Sequence, residues 1–206
     1  MRLASICFTF LLTFVINLAS AAQNPKNILV MGDSLSAGYG IDPQLGWVNL
    51  AQKKLATEGL NWTLVNGSVS GETSSGGLSR LSGLLKQHKP AIVIIELGGN
   101  DGLRGQPTQL LLQNLQQMID ASKASGAKVL LLGMQIPSNY GPRYTREFKE
   151  VYSTLAEKNN IGLVPFMLEG VAANPQFAQE DGLHPNIAAQ PIILENIWPS
   201  LKKMLQ

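Results

Sequence analysis

Cysteine is nearly missing from this chain of 206 residues: there is one, Cys7. A single thiol excludes a disulfide framework and a thiolate metal cluster. Charge is sparse as well. Asp, Glu, Lys and Arg make up 15% of the chain, against about 25% in typical soluble domains. With 16 basic and 14 acidic residues, the formal charge is +2. No face can be strongly basic on that total, which argues against a nucleic-acid partner. Histidine is limited to His88 and His184. What the chain does have is apolar residues (45%), 20 Gly and 11 Pro. That is too apolar for a disordered chain, and the length suits one compact domain.

The N-terminus differs from the rest. Arg2 is its only charge, and Leu3 to Leu18 is apolar apart from Ser5, Thr9, Thr13 and Asn17. Ala19-Ser20-Ala21-Ala22 follows, and then polar Gln23-Asn24-Pro25-Lys26. A weakly positive start, a short apolar stretch and an Ala-x-Ala site predict a secretory signal peptide over 1–21, cut after Ala21 or Ala22. The apolar stretch is shorter than the ~20 residues of a spanning helix. Cys7 precedes most of that stretch, too early for a lipidation site. The expectation is a periplasmic or secreted protein, residues 22–206, with no stable membrane insertion after cleavage. Removal of Cys7 also excludes a cysteine nucleophile.

Beyond the leader, short apolar runs alternate with helical spacings. Strands are predicted at Asn27–Met31, Trp62–Val65, Ala91–Leu97, Lys128–Leu132 and Gly162–Phe166. Between them, Trp47/Leu50/Ala51/Leu55, Leu78/Leu81/Leu84/Leu85, Leu111/Leu115/Met118/Ile119 and Phe148/Val151/Tyr152/Leu155 mark helices. A last helix is predicted over Ile187–Leu205, with Pro191 in its first turn. Apolar strands alternating with helices predict a parallel sheet covered on both faces, an α/β domain of three layers. Such sheets form their sites at the carboxyl ends of the strands.

Four polar, glycine-rich turns stand at those ends: Gly32-Asp33-Ser34-Leu35-Ser36, Asn66 to Thr73, Gly98-Gly99-Asn100-Asp101 and Asp181-Gly182-Leu183-His184-Pro185. His88 lies at a helix end, the ordinary setting of a solvated residue. His184 follows Asp181 by three residues, a spacing that lets the carboxylate reach Nδ1 and leaves Nε2 free as a base. With no thiol, a hydroxyl is the natural nucleophile, and Ser34 directly follows a buried strand. Gly71 N–H and the Asn100 amide are candidate donors to a developing oxyanion. Each turn alone is also an ordinary turn or cap; the four together are of complementary chemical type.

Gly32-Asp33-Ser34-Leu35-Ser36, Gly71, Gly98-Gly99-Asn100-Asp101 and Asp181-x-x-His184-Pro185 resemble the SGNH/GDSL hydrolases. The Ser, Gly, Asn and His of that family's name fall in order on Ser34, Gly71, Asn100 and His184. Glu96 to Gly105 and Asn139 to Tyr144 are similar to the bacterial periplasmic TesA-type esterases, also described as thioesterases, lysophospholipases and arylesterases. Glu72 stands where an Asp is more usual. The resemblance implies a flavodoxin-like sandwich of five parallel strands. It also implies Ser34 as nucleophile, His184 as base then acid, and Asp181 as its orienter. The N–H groups of Ser34 and Gly71 and the Asn100 amide would form the oxyanion hole. It implies no metal and no organic cofactor.

Two strand-end loops, Asp101 to Pro107 and Met134 to Tyr144, are expected to shape the acyl site. Leu103, Ile136, Pro137 and Tyr140 supply its apolar surface, although packing against the sheet would explain the same residues. The expected substrates are small-molecule acyl esters, acyl thioesters or lysophospholipids, handled by a monomer. A carbohydrate O-acetylesterase and a non-catalytic lipid or peptide carrier are the alternatives. An apolar loop suits an acyl chain better than a sugar, and a carrier has no need of Ser34, Asp181 and His184 together.

Overall fold

A computed structural model describes residues 25–206; the expected signal peptide lies outside the described residues. The apolar runs become five parallel strands: β1 (Lys26–Gly32), β2 (Trp62–Asn66), β3 (Ile92–Glu96), β4 (Lys128–Leu132) and β5 (Gly162–Val164). Their spatial order is β2-β1-β3-β4-β5, the order of flavodoxin-like sheets. Ile28 pairs with Leu64 on one side and Ile92 on the other, so β1 and β3 run side by side in the middle. Every residue of β3 is buried, as expected of a central strand with helices on both faces.

The main helices are α2 (Trp47–Thr57), α3 (Ser74–His88), α5 (Thr108–Ala124), α6 (Pro142–Asn159) and α7 (Gln190–Met204). α2 packs on α7 to form one outer layer; α3, α5 and α6 pack side by side to form the other. Two short helices, α1 (Ser34–Ala37) and α4 (Gly99–Leu103), stand directly after β1 and β3. They escaped the sequence reading because four or five residues are too few to show a helical period. Among the described residues, no helix is long and apolar enough to cross a membrane.

β1, β2 and β3 differ from the expected spans by one residue at one or both ends, and three further differences have a physical reason. β5 ends at Val164 rather than Phe166. Pro165 has no N–H to donate to a ladder, and the chain instead hooks around Gly133, whose N–H donates to Val164 O at 2.7 Å. The last helix is preceded by a 3₁₀ turn over Ile187–Ala189, so Pro191 falls in the first turn of α7 as expected. The predicted loop over Asp101 to Pro107 begins inside α4 and is pinned. Asp101 is buried and accepts from Ser74 N (2.8 Å) and Ser74 Oγ (2.5 Å).

Candidate active site

In this strand order the chain leaves β1 toward β2 and returns past it to β3. The crevice at the carboxyl ends of β1 and β3 is therefore the switch point of the sheet, the place where ligands collect in open α/β folds. Ser34 follows β1 and Asn100 follows β3, so both stand at this crevice. Asp33 caps α1 by accepting from Leu35 N–H at 3.0 Å, which fixes the turn that carries Ser34.

His184 arrives from the far end of the chain. Asp181 Oδ1 accepts backbone N–H bonds from Leu183 and His184, each at 2.9 Å, while Oδ2 lies 2.6 Å from His184 Nδ1. Gly182, with φ 67°, supplies the left-handed turn between them. The other ring nitrogen, Nε2, lies 3.0 Å from Ser34 Oγ. With Nδ1–H donating to the carboxylate, Nε2 is the free acceptor and the Ser34 hydroxyl donates to it. The Asp181 carboxyl is held down to about 2, first by the His184 ring N–H and then by the backbone N–H groups of His184 and Leu183. It stays ionised at neutral pH. The Tyr39 ring packs against the imidazole, centroids 4.5 Å apart. A hydroxyl bonded to an imidazole that a carboxylate orients can lose its proton while attacking a carbonyl carbon.

The cluster opens into a cavity of about 400 Å³. Leu35, Leu103, Met134, Ile136, Pro137 and Leu183 form its apolar walls, and Gly71, Asn100, Ser34 and His184 its polar floor. A second cavity, of about 500 Å³, shares Gln135, Pro137, Leu168, Leu183 and His184 with the first. Phe166, Val171 and Phe177 extend it, and it has no Asp, Glu, Lys or Arg in its wall.

A profile of the GDSL-like lipase/acylhydrolase family matches residues 30–190. The chain belongs to that family. It is a hydrolase. Among curated relatives, "Esterase TesA" of Pseudomonas aeruginosa is 55% identical over 180 residues, covering 87% of this chain and 90% of the relative. "Thioesterase 1/protease 1/lysophospholipase L1" of Escherichia coli K12 is 43% identical over 193 residues, covering 94% and 89%. The solved "Crystal Structure of TesA" superposes with a TM-score of 0.85 at 55% identity, covering 87% of this chain and 99% of that one.

In this family member, the four turns read from the sequence converge on one crevice, and Ser34, Asp181 and His184 form one hydrogen-bonded chain. Leu103, Ile136 and Pro137 line the cavity. Tyr140 does not. Its hydroxyl donates to Leu103 O at 2.7 Å, and its ring lies in a separate shallow depression with Arg143, Tyr144 and Glu147. It sits behind the wall because the 3₁₀ turn over Ser138–Tyr140 carries it away from the crevice. Glu72, unusual in the motif, accepts from Arg80 Nε at 2.6 Å, and Arg80 Nη1 also donates to Gly67 O, so the guanidinium spans the loop that carries Gly71.

Sequence reasoning missed the groups beneath the floor. Asp33 is 2% exposed and Glu96 is fully buried. Glu96 Oε2 accepts from Ser36 Oγ (2.6 Å) and from Asp33 N (3.2 Å). Burial pushes the Asp33 carboxyl up to about 6, and burial plus the Asp33 charge pushes Glu96 well above the usual carboxylate range. One signal was present: Glu96 is a lone carboxylate in an otherwise apolar strand, and a buried acid needs a reason.

Proposed function

We propose that this hydrolase is a serine esterase that cleaves carboxylic esters and thioesters through an acyl-enzyme on Ser34. The observation that carries the reading is the unbroken chain from Ser34 Oγ to His184 Nε2 (3.0 Å) and from His184 Nδ1 to Asp181 Oδ2 (2.6 Å), at the mouth of an apolar cavity. Ser34 Oγ attacks the carbonyl carbon as its proton passes to His184 Nε2. The charge that develops on the carbonyl oxygen meets the N–H groups of Ser34 and Gly71 and the Asn100 amide. His184 then protonates the departing alcohol or thiol, leaving Ser34 acylated. Water attacks this ester, gives its proton to His184, and the tetrahedral intermediate collapses to release the carboxylic acid while the proton returns to Ser34 Oγ. Ionised Asp181 keeps the imidazole in the required tautomer throughout.

The substrates of this reading are small acyl and aryl esters, acyl thioesters and lysophospholipids. Relatives bearing esterase, thioesterase and lysophospholipase names support that range, as do two apolar cavities meeting at His184. The apolar side chains of Leu35, Leu103, Met134, Ile136, Pro137 and Leu183 in the first cavity, and the uncharged wall of the second, favour acyl chains over the sugar of an O-acetylesterase. The enzyme acts as a monomer outside the cytoplasm after loss of residues 1–21, and the reaction uses no metal or organic cofactor. Ser34→Ala should abolish turnover of p-nitrophenyl esters, acyl thioesters and lysophospholipids in a protein with unchanged circular dichroism. Turnover retained by that variant in a chain-length series would overturn the nucleophile.

A further inference from the structure

Asn100 is oriented from behind. Its Nδ2 donates to Asp33 Oδ2 at 3.1 Å. An amide NH₂ carries two hydrogens; with one directed at Asp33, the other is left for the crevice. The approach is close because residue 99 is glycine: a Cβ there would stand 3.3 Å from Asp33 Oδ2. Asp33 is itself held on every side. Its Oδ1 accepts from Leu35 N, and its own N–H donates to Glu96 Oε2.

An ionised carboxylate in this place is unexpected on stability grounds. Asp33 and Glu96 lie side by side in the interior, and among the described residues neither has a Lys or Arg salt-bridge partner. Glu96 Oε1 is buried with no hydrogen-bond partner. Two adjacent buried carboxyls do not both ionise readily, and burial together with the Asp33 charge pushes the Glu96 carboxyl well above the usual carboxylate range. Asp33 has the Glu96 carboxyl behind it. In front it faces the Asn100 amide and His184, with Asp101 as a further acidic neighbour. An Asn at position 33 would cap α1 equally well, since Asn and Asp rank together as N-caps. Capping therefore does not explain the acid. A carboxylate differs from an amide in one respect: it only accepts.

We propose that Asp33 is a positioning residue of the oxyanion hole: its acceptor-only carboxylate locks the Asn100 amide with its nitrogen inward and one N–H aimed at the reacting oxygen. The inference rests on the reading of Ser34, Gly71 and Asn100 given above. Replacing Asp33 by Asn sets an amide where the acceptor was, and the Asn100 amide loses its fixed orientation.

The test is a double-mutant cycle with Asp33→Asn and Asn100→Ala, with Ser34→Ala in parallel, on purified enzyme and a short p-nitrophenyl ester. Asn100→Ala should lower kcat by roughly 10²–10³, the typical loss for one oxyanion donor. Asp33→Asn should lower kcat by about 10- to 100-fold, within that ceiling, with KM changed less than about threefold. Its thermal midpoint should not fall below wild type, which separates positioning from a structural defect. In the Asn100→Ala background, Asp33→Asn should have less than about a threefold further effect, because the amide it positions is gone. Wild-type kcat in Asp33→Asn, or the same fold-loss with and without Asn100, would overturn the inference. Full activity in Ser34→Ala or Asn100→Ala would instead overturn the reading of the site on which it rests.

Discussion

Two aspartates at this crevice show how placement divides one side chain into two kinds of acid. Asp181 is exposed and takes three N–H bonds, so its carboxyl is held down to about 2. The stability it contributes is present above the ordinary Asp range and is lost as pH falls toward 2. Asp33 is buried, and its carboxyl is pushed up to about 6. The folded protein binds this proton more tightly than the unfolded chain, so this contribution to stability falls as pH rises from about 4 through 6. Asp33→Asn removes that penalty. In urea unfolding, the variant should gain on wild type between pH 4 and pH 7 by up to about 3 kcal/mol, the value of roughly two pKa units. A difference that does not vary with pH would contradict the buried ionisation. At this scale the sequence pointed to the candidate residues, because Ser34, Gly71, Asn100 and His184 occupy recognisable turns that the fold brings to one cavity. It hid Asp33's role, because the partners, Asn100 and Glu96, lie 67 and 63 residues away.

Among the elements, long helices and buried strands announce themselves by period and length; the pieces that shape the site do not. α1 and α4 are too short for a period, and the 3₁₀ turn over Ser138–Tyr140 redirects Tyr140 by geometry that residue type does not encode. The result is a tether rather than a lining. Tyr140 Oη donates to Leu103 O and Tyr144 Oη donates to Gln106 O, fastening the stretch between α4 and α5 to the start of α6. Gly102 permits the same contact, since a Cβ there would meet Ile136 at 2.5 Å and Phe148 at 2.7 Å. Tyr140→Phe should lower stability by about 1 kcal/mol, the net value of one hydrogen bond. It should also raise KM for long-chain esters more than for acetyl esters, because Leu103 forms part of the wall. Denaturant unfolding and a chain-length series check the two halves. An equal change across all chain lengths would place Tyr140 outside substrate selection.

At the scale of the whole molecule, strand alternation was enough to read three layers, and the switch point of the β2-β1-β3-β4-β5 sheet accounts for why turns distant in sequence share one crevice. What strand patterns cannot disclose is the cavity pair, because its walls are assembled from Leu35, Leu103, Ile136, Leu168 and Leu183, drawn from five separate segments. The proposed export makes a simple statement about the mature chain: Edman sequencing of material from outside the cytoplasm should begin at Ala22 or Gln23, and a start at Met1 would refute cleavage. The Ser34–His184 contact spans 150 residues, and this separation acts as a timing device. A ribosome makes the proposed nucleophile 150 residues before its proposed base, so a nascent polypeptide carries a serine without the partner that would activate it. A fold rich in contacts of such long range forms more slowly than one built on local contacts. On the proposed mechanism, a chain in which His184 has not yet docked against Ser34 carries no activated hydroxyl and is silent.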